Sequence, residues 1–344
     1  MSYLPHFDIN QNKNYHPHVV ILGAGASLAA QPFGDKYGKK LPTLKNIVEI
    51  TNIEPELEEL EVMLPIDDFE AVFDDLSKKC SDNVHFIKIK EKIYDYFSSI
   101  VIPDELTLYD KLVLSLREQD LIATFNWDPL LCLAYQRNRH IKKLPNLAFL
   151  HGNVFVGYCK EHRTTGFINC ACSKCSQRFD KVELLYPVKE KNYTQDHFIR
   201  REWELTQHFL ENAFMITIFG YSAPKTDVAA REAMFKVWNE NRIRNFWEIQ
   251  LIDVKQKNEV KDNWEEFFVR NHYSIISDFQ DSFLNRYPRR SCEAWASAVL
   301  QNDPWGDLEQ YKGSSLHEYQ EWVLTLIESE NMNELDKNYP LSRW

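Results

Sequence analysis

The chain has 344 residues, of which 44% are hydrophobic, and this is enough for a sizeable core in one large domain or two smaller ones. Its 40 basic and 51 acidic residues give a formal net charge of -11, and no block of basic residues interrupts that acidity, so no direct contact with nucleic acid is expected. The sequence shows neither a charged-then-apolar leader pattern nor a run of roughly 18 apolar residues, so neither a secretory signal nor a membrane contact is predicted.

Short apolar runs that end in glycine or a polar residue predict buried strands, and the stretches between them predict helices. In chain order these are the strand VVILG (19–23), a helix that starts in GASLAAQ, a mostly helical stretch at about 34–120, the strands LIATF (121–125) and LAFLHG (147–152), a helix at 194–213, the strand FMITIFG (214–220), a helix in TDVAAREAMFKVWNE and the strand WEIQLIDV (247–254). This alternation predicts an α/β fold with a Rossmann-like parallel sheet covered by helices on both faces.

Three regions differ from this alternating pattern. Residues 1–17 are polar and are expected to form a loose arm. The stretch at about 153–185 is rich in loop-forming residues and carries cysteines. Residues 255–344 are polar, aromatic and largely helical. We therefore expect one domain over residues 1–254, which contains the helical insert at about 34–120 and the cysteine-rich module, followed by a helical C-terminal extension. Ligands on such sheets bind beyond the carboxyl ends of the strands, so the residues at these ends are the candidates for binding and catalysis.

The first strand ends in GAGAS, and two explanations of its glycines compete. They can form a tight turn only, or they can let a phosphate-bearing ligand approach the backbone at the start of a helix. The dinucleotide-binding pattern Gly-x-Gly-x-x-Gly fits Gly23 and Gly25 but fails at Leu28. The residues alone leave both explanations open.

Polar side chains also follow the next two strands, in FNWD (125–128) and HGN (151–153). Asn126 and Asp128 can serve chemistry, or Asp128 can simply cap a helix that begins at Pro129. His151 carries the side chain most easily poised for proton transfer near neutral pH, although a single histidine is more often structural.

Four of the seven cysteines lie within residues 159–175, which suits a metal site in a reduced, cytoplasmic protein better than a disulfide framework. CKEH and CSKC provide two ligand pairs, Cys159 with His162 and Cys172 with Cys175, and each pair can hold one side of a tetrahedral zinc ion. Cys170 is a further candidate ligand, and free reduced thiols are the alternative. A closed four-ligand site of this kind is structural.

The order of these motifs resembles the sirtuin family over roughly residues 18–254. GAGAS comes first, then FNWD, LHG and the cysteine cluster, and then strand ends in GYS and LID. Four stretches are similar to a divergent bacterial branch of that family: LAAQPFG after the glycine turn, LPT (41–43), DDFEAVFDDL and GYSAPKTD. Members of this branch include NAD hydrolases of antiphage defence, so the resemblance implies an NAD-binding domain.

The resemblance also implies roles for individual residues. Asn126 would hold the ribose and orient the attacking water, Asp128 would bond the nicotinamide amide, and His151 would act as general base. The remaining contacts implied are Gly23, Ala24, Gly25 and Ser27 around the diphosphate, and Gly220, Ser222 and Asp253 at the adenosine half. Asp253 is equally well explained as an exposed acid that ends a strand. Asp227 can also serve the site, but a cap for the following helix is the favoured explanation.

The resemblance implies an NAD hydrolase that depletes cellular NAD, with NAD as substrate and a structural zinc. A protein deacylase that consumes NAD is one alternative, although the arginine-bearing run that deacylases have after the glycine turn is absent. A non-catalytic regulator that binds NAD or ADP-ribose is another. Little length remains for a recognition domain, so we expect activation by homo-oligomerisation or by a partner protein such as a HerA-type ATPase.

Overall fold

The computed structural model of the chain describes residues 16–188, 193, 196–223, 227–240, 248–268, 272–299 and 311–335. The arm predicted at residues 1–17 lies outside these ranges except for residues 16 and 17. Residues 224–226 of GYSAPKTD and much of the distal C-terminal extension also lie outside them.

The described part of the chain alternates strands and helices, as the sequence predicts. Its strands are β1 (His18–Leu22), β2 (Leu121–Thr124), β3 (Asn146–Phe149), β4 (Val156–Cys159), β5 (Thr164–Phe167), β6 (Asp180–Lys181), β7 (Met215–Phe219), β8 (Glu248–Ile252) and β9 (His272–Ile276). Its α-helices are α1 (Ala24–Ala30), α2 (Ile47–Thr51), α3 (Glu54–Glu59), α4 (Phe69–Lys79), α5 (Val84–Ser98), α6 (Leu108–Leu114), α7 (Leu130–Asn138), α8 (His197–Asn212), α9 (Val228–Glu240), α10 (Lys257–Phe268), α11 (Phe283–Arg286), α12 (Ser291–Val299) and α13 (Leu316–Leu335).

Six strands form one parallel sheet in the order β3-β2-β1-β7-β8-β9, with helices on both faces. Strand β1 is central and fully buried, and Val19 lies opposite Leu121 on one side and Ile216 on the other. Unbroken apolar strands suit this position because both faces of a parallel sheet are covered. The predicted α/β fold is therefore confirmed, and the strand order reverses between β1 and β7, where such sheets bind ligands.

The C-terminal region contributes a strand that the sequence analysis did not predict. Strand β9 pairs in parallel with β8, with His272 opposite Glu248 and Ile276 opposite Ile252, so the sheet continues beyond residue 254. Its five side chains are exposed or half-buried, because β9 lies at the edge of the sheet. An edge strand needs no continuous apolar run, and HYSII is not closed by a glycine, so the pattern that found the other strands is missing.

Helices α2 to α6 form the predicted helical insert between α1 and β2. Helix α4 begins after Asp68, whose side chain accepts a hydrogen bond from Ala71 N at 3.0 Å. Helix α6 begins with a reciprocal capping box, in which Thr107 and Asp110 bond each other's backbone N–H groups. This box fixes the start of the helix that carries Tyr109 and Lys111 to the ligand end of the sheet.

The C-terminal helices pack against the core rather than forming a separate layer. Arg289 is almost fully buried, and its guanidinium bonds Glu330 of α13 at 2.6 Å and the carbonyl oxygen of Leu116 at 2.9 Å. Gln320 of α13 donates to Asn138 at the end of α7 over 2.7 Å. Among the described residues, no helix has the length and apolar character required to cross a membrane.

Candidate functional site

The glycines of GAGAS are explained by a close approach of two backbone segments. Gly23 N donates to Phe219 O at 2.9 Å, and Gly25 N donates to Gly220 O at 3.0 Å. A Cβ atom on Gly220 would lie 2.2 Å from Ala26 N, and its φ of +63° also favours glycine. The tight-turn explanation therefore accounts for these glycines, and the N–H groups of Gly23 and Gly25 are used within the fold.

A cavity of about 680 Å³ lies beside this turn, at the carboxyl ends of β1, β7, β8 and β9. Five of the residues predicted to contact a nucleotide line it: Ala24, Gly25, Gly220, Ser222 and Asp253. The other two, Gly23 and Ser27, do not line the cavity. Its volume falls within the roughly 300–1,000 Å³ of typical ligand sites, and its position is the reversal point of the sheet.

Ser27 belongs to a buried hydrogen-bond network behind the cavity wall. Its hydroxyl donates to Asp128 Oδ2 at 2.7 Å and accepts from Asn126 Nδ2 at 2.8 Å. The Tyr109 hydroxyl lies 2.7 Å away, and because the Ser27 proton points to Asp128, Tyr109 donates. The side chain of Ser27 thus joins α1 to α6 and to the loop after β2.

The side-chain amide of Asn126 is held by hydrogen bonds from its nitrogen. Nδ2 donates to Gly23 O at 2.8 Å in addition to Ser27, which also assigns the orientation of the amide. No described residue donates a hydrogen bond to Oδ1 of this amide. Asn153 Nδ2 supports the loop by donating to the backbone oxygens of Asn126 at 3.2 Å and Asp128 at 2.6 Å.

Asp128 caps a helix and also belongs to the network. Its Oδ1 accepts from Leu130 N at 3.1 Å at the start of α7, and its Oδ2 accepts from Ser27. Burial raises the pKa of the Asp128 carboxyl, and these two hydrogen bonds oppose that shift. Both oxygens are therefore engaged inside the protein.

His151 lies in a second polar cluster, with residues that the sequence analysis did not assign to catalysis. Its Nε2 lies 3.1 Å from the Tyr193 hydroxyl, which donates to Asp227 Oδ1 at 3.3 Å. Tyr221 donates to the other oxygen of Asp227 at 3.0 Å. Because Tyr193 gives its proton to Asp227, its oxygen is available to accept from a protonated His151 Nε2. The Asp227 carboxylate thus binds two tyrosines.

Burial is the largest cause of raised pKa values for the Tyr193 and Tyr221 hydroxyls, so both remain protonated donors. Tyr193 gave no local signal in the sequence, because its partners lie 42 and 34 residues away along the chain. Tyr221 directly follows the glycine that ends a predicted strand, and this position was the only sequence feature that could have indicated a role at the site.

Phe125 connects the two polar clusters. Its ring stacks on Tyr221 at 4.3 Å and meets the His151 ring edge-on at 4.8 Å. Asn126 and Asp128 therefore share one network through Ser27, while His151 belongs to the other cluster and contacts the Phe125 ring. None of these three predicted catalytic residues is among the described residues that line the cavity.

The backbone before His151 is fixed by α8. Glu202 Oε2 accepts from Phe149 N at 2.9 Å, and Trp203 Nε1 donates to Leu150 O at 3.3 Å. Burial raises the pKa of Glu202 to about 7. The position of the His151 loop thus depends on a buried carboxyl group.

The cysteine-rich module forms a three-stranded antiparallel sheet in the order β5-β4-β6. Its two turns bring together the predicted metal ligands Cys159, His162, Cys172 and Cys175, whose ligand atoms all lie within 4.8 Å of one another. Cys170 packs beside them but is outside this group.

The spacing of these ligand atoms fits tetrahedral zinc. The sulfurs of Cys159 and Cys175 are 3.8 Å apart, and His162 Nδ1 lies 3.6 Å from the Cys159 sulfur. Zn–S bonds of about 2.3 Å place neighbouring sulfurs of a tetrahedron roughly 3.8 Å apart. Several hydrogen bonds lower the pKa of the Cys172 thiol to about 6, the largest effect coming from the Thr164 hydroxyl 3.3 Å from its sulfur, and this favours the thiolate that binds metal.

No protein-family model and no curated protein matches this chain. Solved structures that are similar to it include a Sir2 homologue in complex with NAD, at 15% identity and a TM-score of 0.40, covering 87% of this chain and 98% of that chain. Sir2 bound to an inhibitor, 2'-O-acetyl-ADP-ribose and a deacetylated peptide is similar at 12% identity and a TM-score of 0.38, covering 83% and 93%. A Sir2 homologue variant with ADP-ribose is similar at 13% identity and a TM-score of 0.39, covering 85% and 94%.

Proposed function

We propose that this protein binds NAD and hydrolyses the bond between nicotinamide and ribose, releasing nicotinamide and ADP-ribose. The observation that carries this proposal is the hydrogen bond from Asn126 Nδ2 to Gly23 O at 2.8 Å. Gly23 immediately precedes Ala24 and Gly25, which line the cavity, so the predicted ribose-binding amide is fixed to the backbone one residue before the cavity wall. Its Oδ1, which accepts no hydrogen bond from any described residue, remains to hold a ribose hydroxyl or a water.

The reaction needs a held sugar, a departing nicotinamide and a water that loses one proton. As the bond from ribose C1' to nicotinamide nitrogen breaks, positive charge builds on the sugar, and the water oxygen bonds to C1'. Asn126 orients the water or the sugar, and a fixed orientation lowers the entropic part of the barrier. His151 takes the proton of the water as general base, a contribution that is typically about 10²–10⁴-fold.

Tyr193 and Asp227 are positioning residues in this scheme. The Tyr193 oxygen lies 3.1 Å from His151 Nε2 and is itself held by Asp227. If Nε2 carries the proton of the neutral imidazole, Nδ1 has the lone pair that accepts a proton. Tyr193 therefore selects the reactive nitrogen and holds the plane of the ring.

Zinc is proposed for Cys159, His162, Cys172 and Cys175, where a closed set of four ligands would cross-link the two turns of the module and take no part in the reaction. In the cell, we propose that NAD depletion serves antiphage defence. Activation would come from self-assembly or from a partner protein such as the HerA-type ATPase considered above.

The direct test incubates the purified full-length protein with NAD, with and without an acyl-lysine peptide, and separates the products by chromatography. We expect nicotinamide and ADP-ribose in both samples once the protein has self-assembled or its activating partner is added, and loss of both products in Asn126→Ala and His151→Ala. A product that carries the acyl group, formed only with peptide, would instead identify a deacylase.

One observation favours a second candidate, a regulator that binds NAD or ADP-ribose without turnover. Both oxygens of Asp128 and Nδ2 of Asn126 are satisfied inside the protein, as in a structural network. Calorimetric binding of NAD with no product, alone or in the presence of candidate activators, would favour this function over hydrolysis.

A further inference from the structure

The cavity contains a lysine that neither the motifs nor the resemblance assigned. Lys111 lies on α6 and lines the same cavity as Ala24 and Gly25. Tyr109, two residues earlier, turns into the buried network and bonds Ser27 at 2.7 Å. One short helix thus supplies a side chain to the network behind the cavity wall and another to the cavity itself.

The ammonium group of Lys111 has no hydrogen-bond or ion-pair partner among the residues that the structure describes. The side chain is half-buried, and desolvation lowers the pKa of the amine, against the opposing effect of Asp278 across the cavity. Holding a cation in a partly desolvated place costs free energy unless an anion compensates it. A bound anion would provide that compensation.

The other charged side chains of the cavity, and the Gly25 N–H, are already engaged. Lys255 also lines it, but its ammonium bonds Glu259 at 2.7 Å. Gly25 donates its N–H to Gly220 O, as described above. Asp253 accepts from the backbone N of Lys255 at 2.9 Å, and Asp278 accepts from Gln280 N at 2.8 Å. Lys111 is therefore the positively charged side chain that is available to bind a phosphate in this cavity.

We infer that Lys111 binds a phosphate group of the ligand in this cavity. If the proposed function holds, that ligand is a nucleotide carrying a diphosphate. Lysine serves phosphates as a compact point charge with three donors, and half-burial strengthens the attraction relative to an exposed lysine. This inference rests on the proposed function only for the identity of the nucleotide, since a diphosphate ligand that is never hydrolysed would need the same cation.

The test measures ADP-ribose binding to the full-length protein by titration calorimetry. Lys111→Gln is expected to weaken binding about tenfold or more, which corresponds to about 1.4 kcal/mol. Lys111→Arg keeps the positive charge and is expected to stay within about threefold of the unmodified protein. Lys255→Gln is the matched control, because it removes the same charge from a lysine whose ammonium is paired, and a loss of at most about threefold is expected.

The inference is overturned if Lys111→Gln binds ADP-ribose as tightly as the unmodified protein, if Lys255→Gln loses as much affinity as Lys111→Gln, or if the unmodified protein does not bind ADP-ribose. Thermal melting of each variant separates lost binding from lost folding, and Lys111→Arg repeats the comparison with the charge retained. Binding that depends on Lys111 without any NAD hydrolysis would uphold this inference and reject only the hydrolase proposal.

Discussion

Gly25 donates its backbone N–H to the carbonyl oxygen of Gly220 over 3.0 Å, so the loops after β1 and β7 lie in direct backbone contact. This contact forms one wall of the cavity, since both glycines line it. The two segments are almost two hundred positions apart in the sequence. The shape of the candidate ligand site therefore depends on two glycines that have no side chain to separate the loops.

Gly220→Ala is expected to destabilise the protein strongly. The added Cβ would lie 2.2 Å from Ala26 N, at a φ of +63°, so the loops must move apart. The expected loss in the free energy of unfolding is about 3 kcal/mol or more, measured by urea denaturation.

Gly38→Ala is the matched control for that substitution. Gly38 also has a positive φ, of +78°, but a Cβ there would meet nothing within 4 Å. Gly38→Ala is expected to lower the free energy of unfolding by about 1 kcal/mol, from backbone strain alone. Equal losses for the two variants would show that the close approach of the loops contributes little.

Glu202→Gln is expected to flatten the pH dependence of stability. Burial raises the pKa of this carboxyl from its ordinary 4.5 to about 7, so between these values the folded protein holds a proton that the unfolded chain has released. The stability contributed by Glu202 is therefore present at low pH and lost as pH rises through about 7, a change of about 3 kcal/mol. Glutamine is uncharged throughout and still accepts from Phe149 N.

The measurement for Glu202 is urea unfolding at pH 5 and pH 8. The variant should lose less stability than the unmodified protein between these conditions. Glu204→Gln, on the exposed side of the same helix, should follow the unmodified protein. Parallel pH dependences for Glu202→Gln and the unmodified protein would contradict the assigned burial effect.

Tyr193→Phe is expected to lower kcat for NAD hydrolysis about tenfold or more while KM changes less than about twofold, because the hydroxyl orients His151 and lies outside the cavity. Steady-state kinetics measure both constants. Tyr37→Phe, at an exposed tyrosine, should leave both constants unchanged. An unchanged kcat, or an effect on KM alone, would remove Tyr193 from the positioning role.

Cys172→Ser is expected to lose the metal of the cysteine-rich module. Elemental analysis of the purified protein should find about one zinc per chain, and strongly reduced zinc in the variant, because a tetrahedral site then keeps three ligands. Cys170→Ser should retain zinc, since its sulfur is outside the four-ligand group. Loss of zinc in both variants, or no zinc in the unmodified protein, would contradict this assignment.

The fold class was predictable from the sequence because its central strands are short, unbroken apolar runs and its helices have amphipathic spacing. Strands β2, β7 and β8 lie within predicted runs, and β1 and β3 each begin one residue before theirs. The pairing of the candidate metal ligands was also predictable, since the two residues of each pair are three positions apart and need only one turn. In contrast, β9 was missed because an exposed edge strand carries no such pattern.

At the candidate site, local patterns in the sequence were enough to predict that Asn126, Asp128 and His151 follow buried strands. That Asn126 and Asp128 meet at Ser27, while His151 meets Tyr193, follows from the three-dimensional packing alone. Periodicity is a property of neighbouring residues, because it reports which face of an element is buried. The way in which helices and strands pack against one another sets which residues dozens of positions apart become hydrogen-bond partners. It also places the charge of Lys111 in the cavity. A local sequence pattern contains no information about this packing.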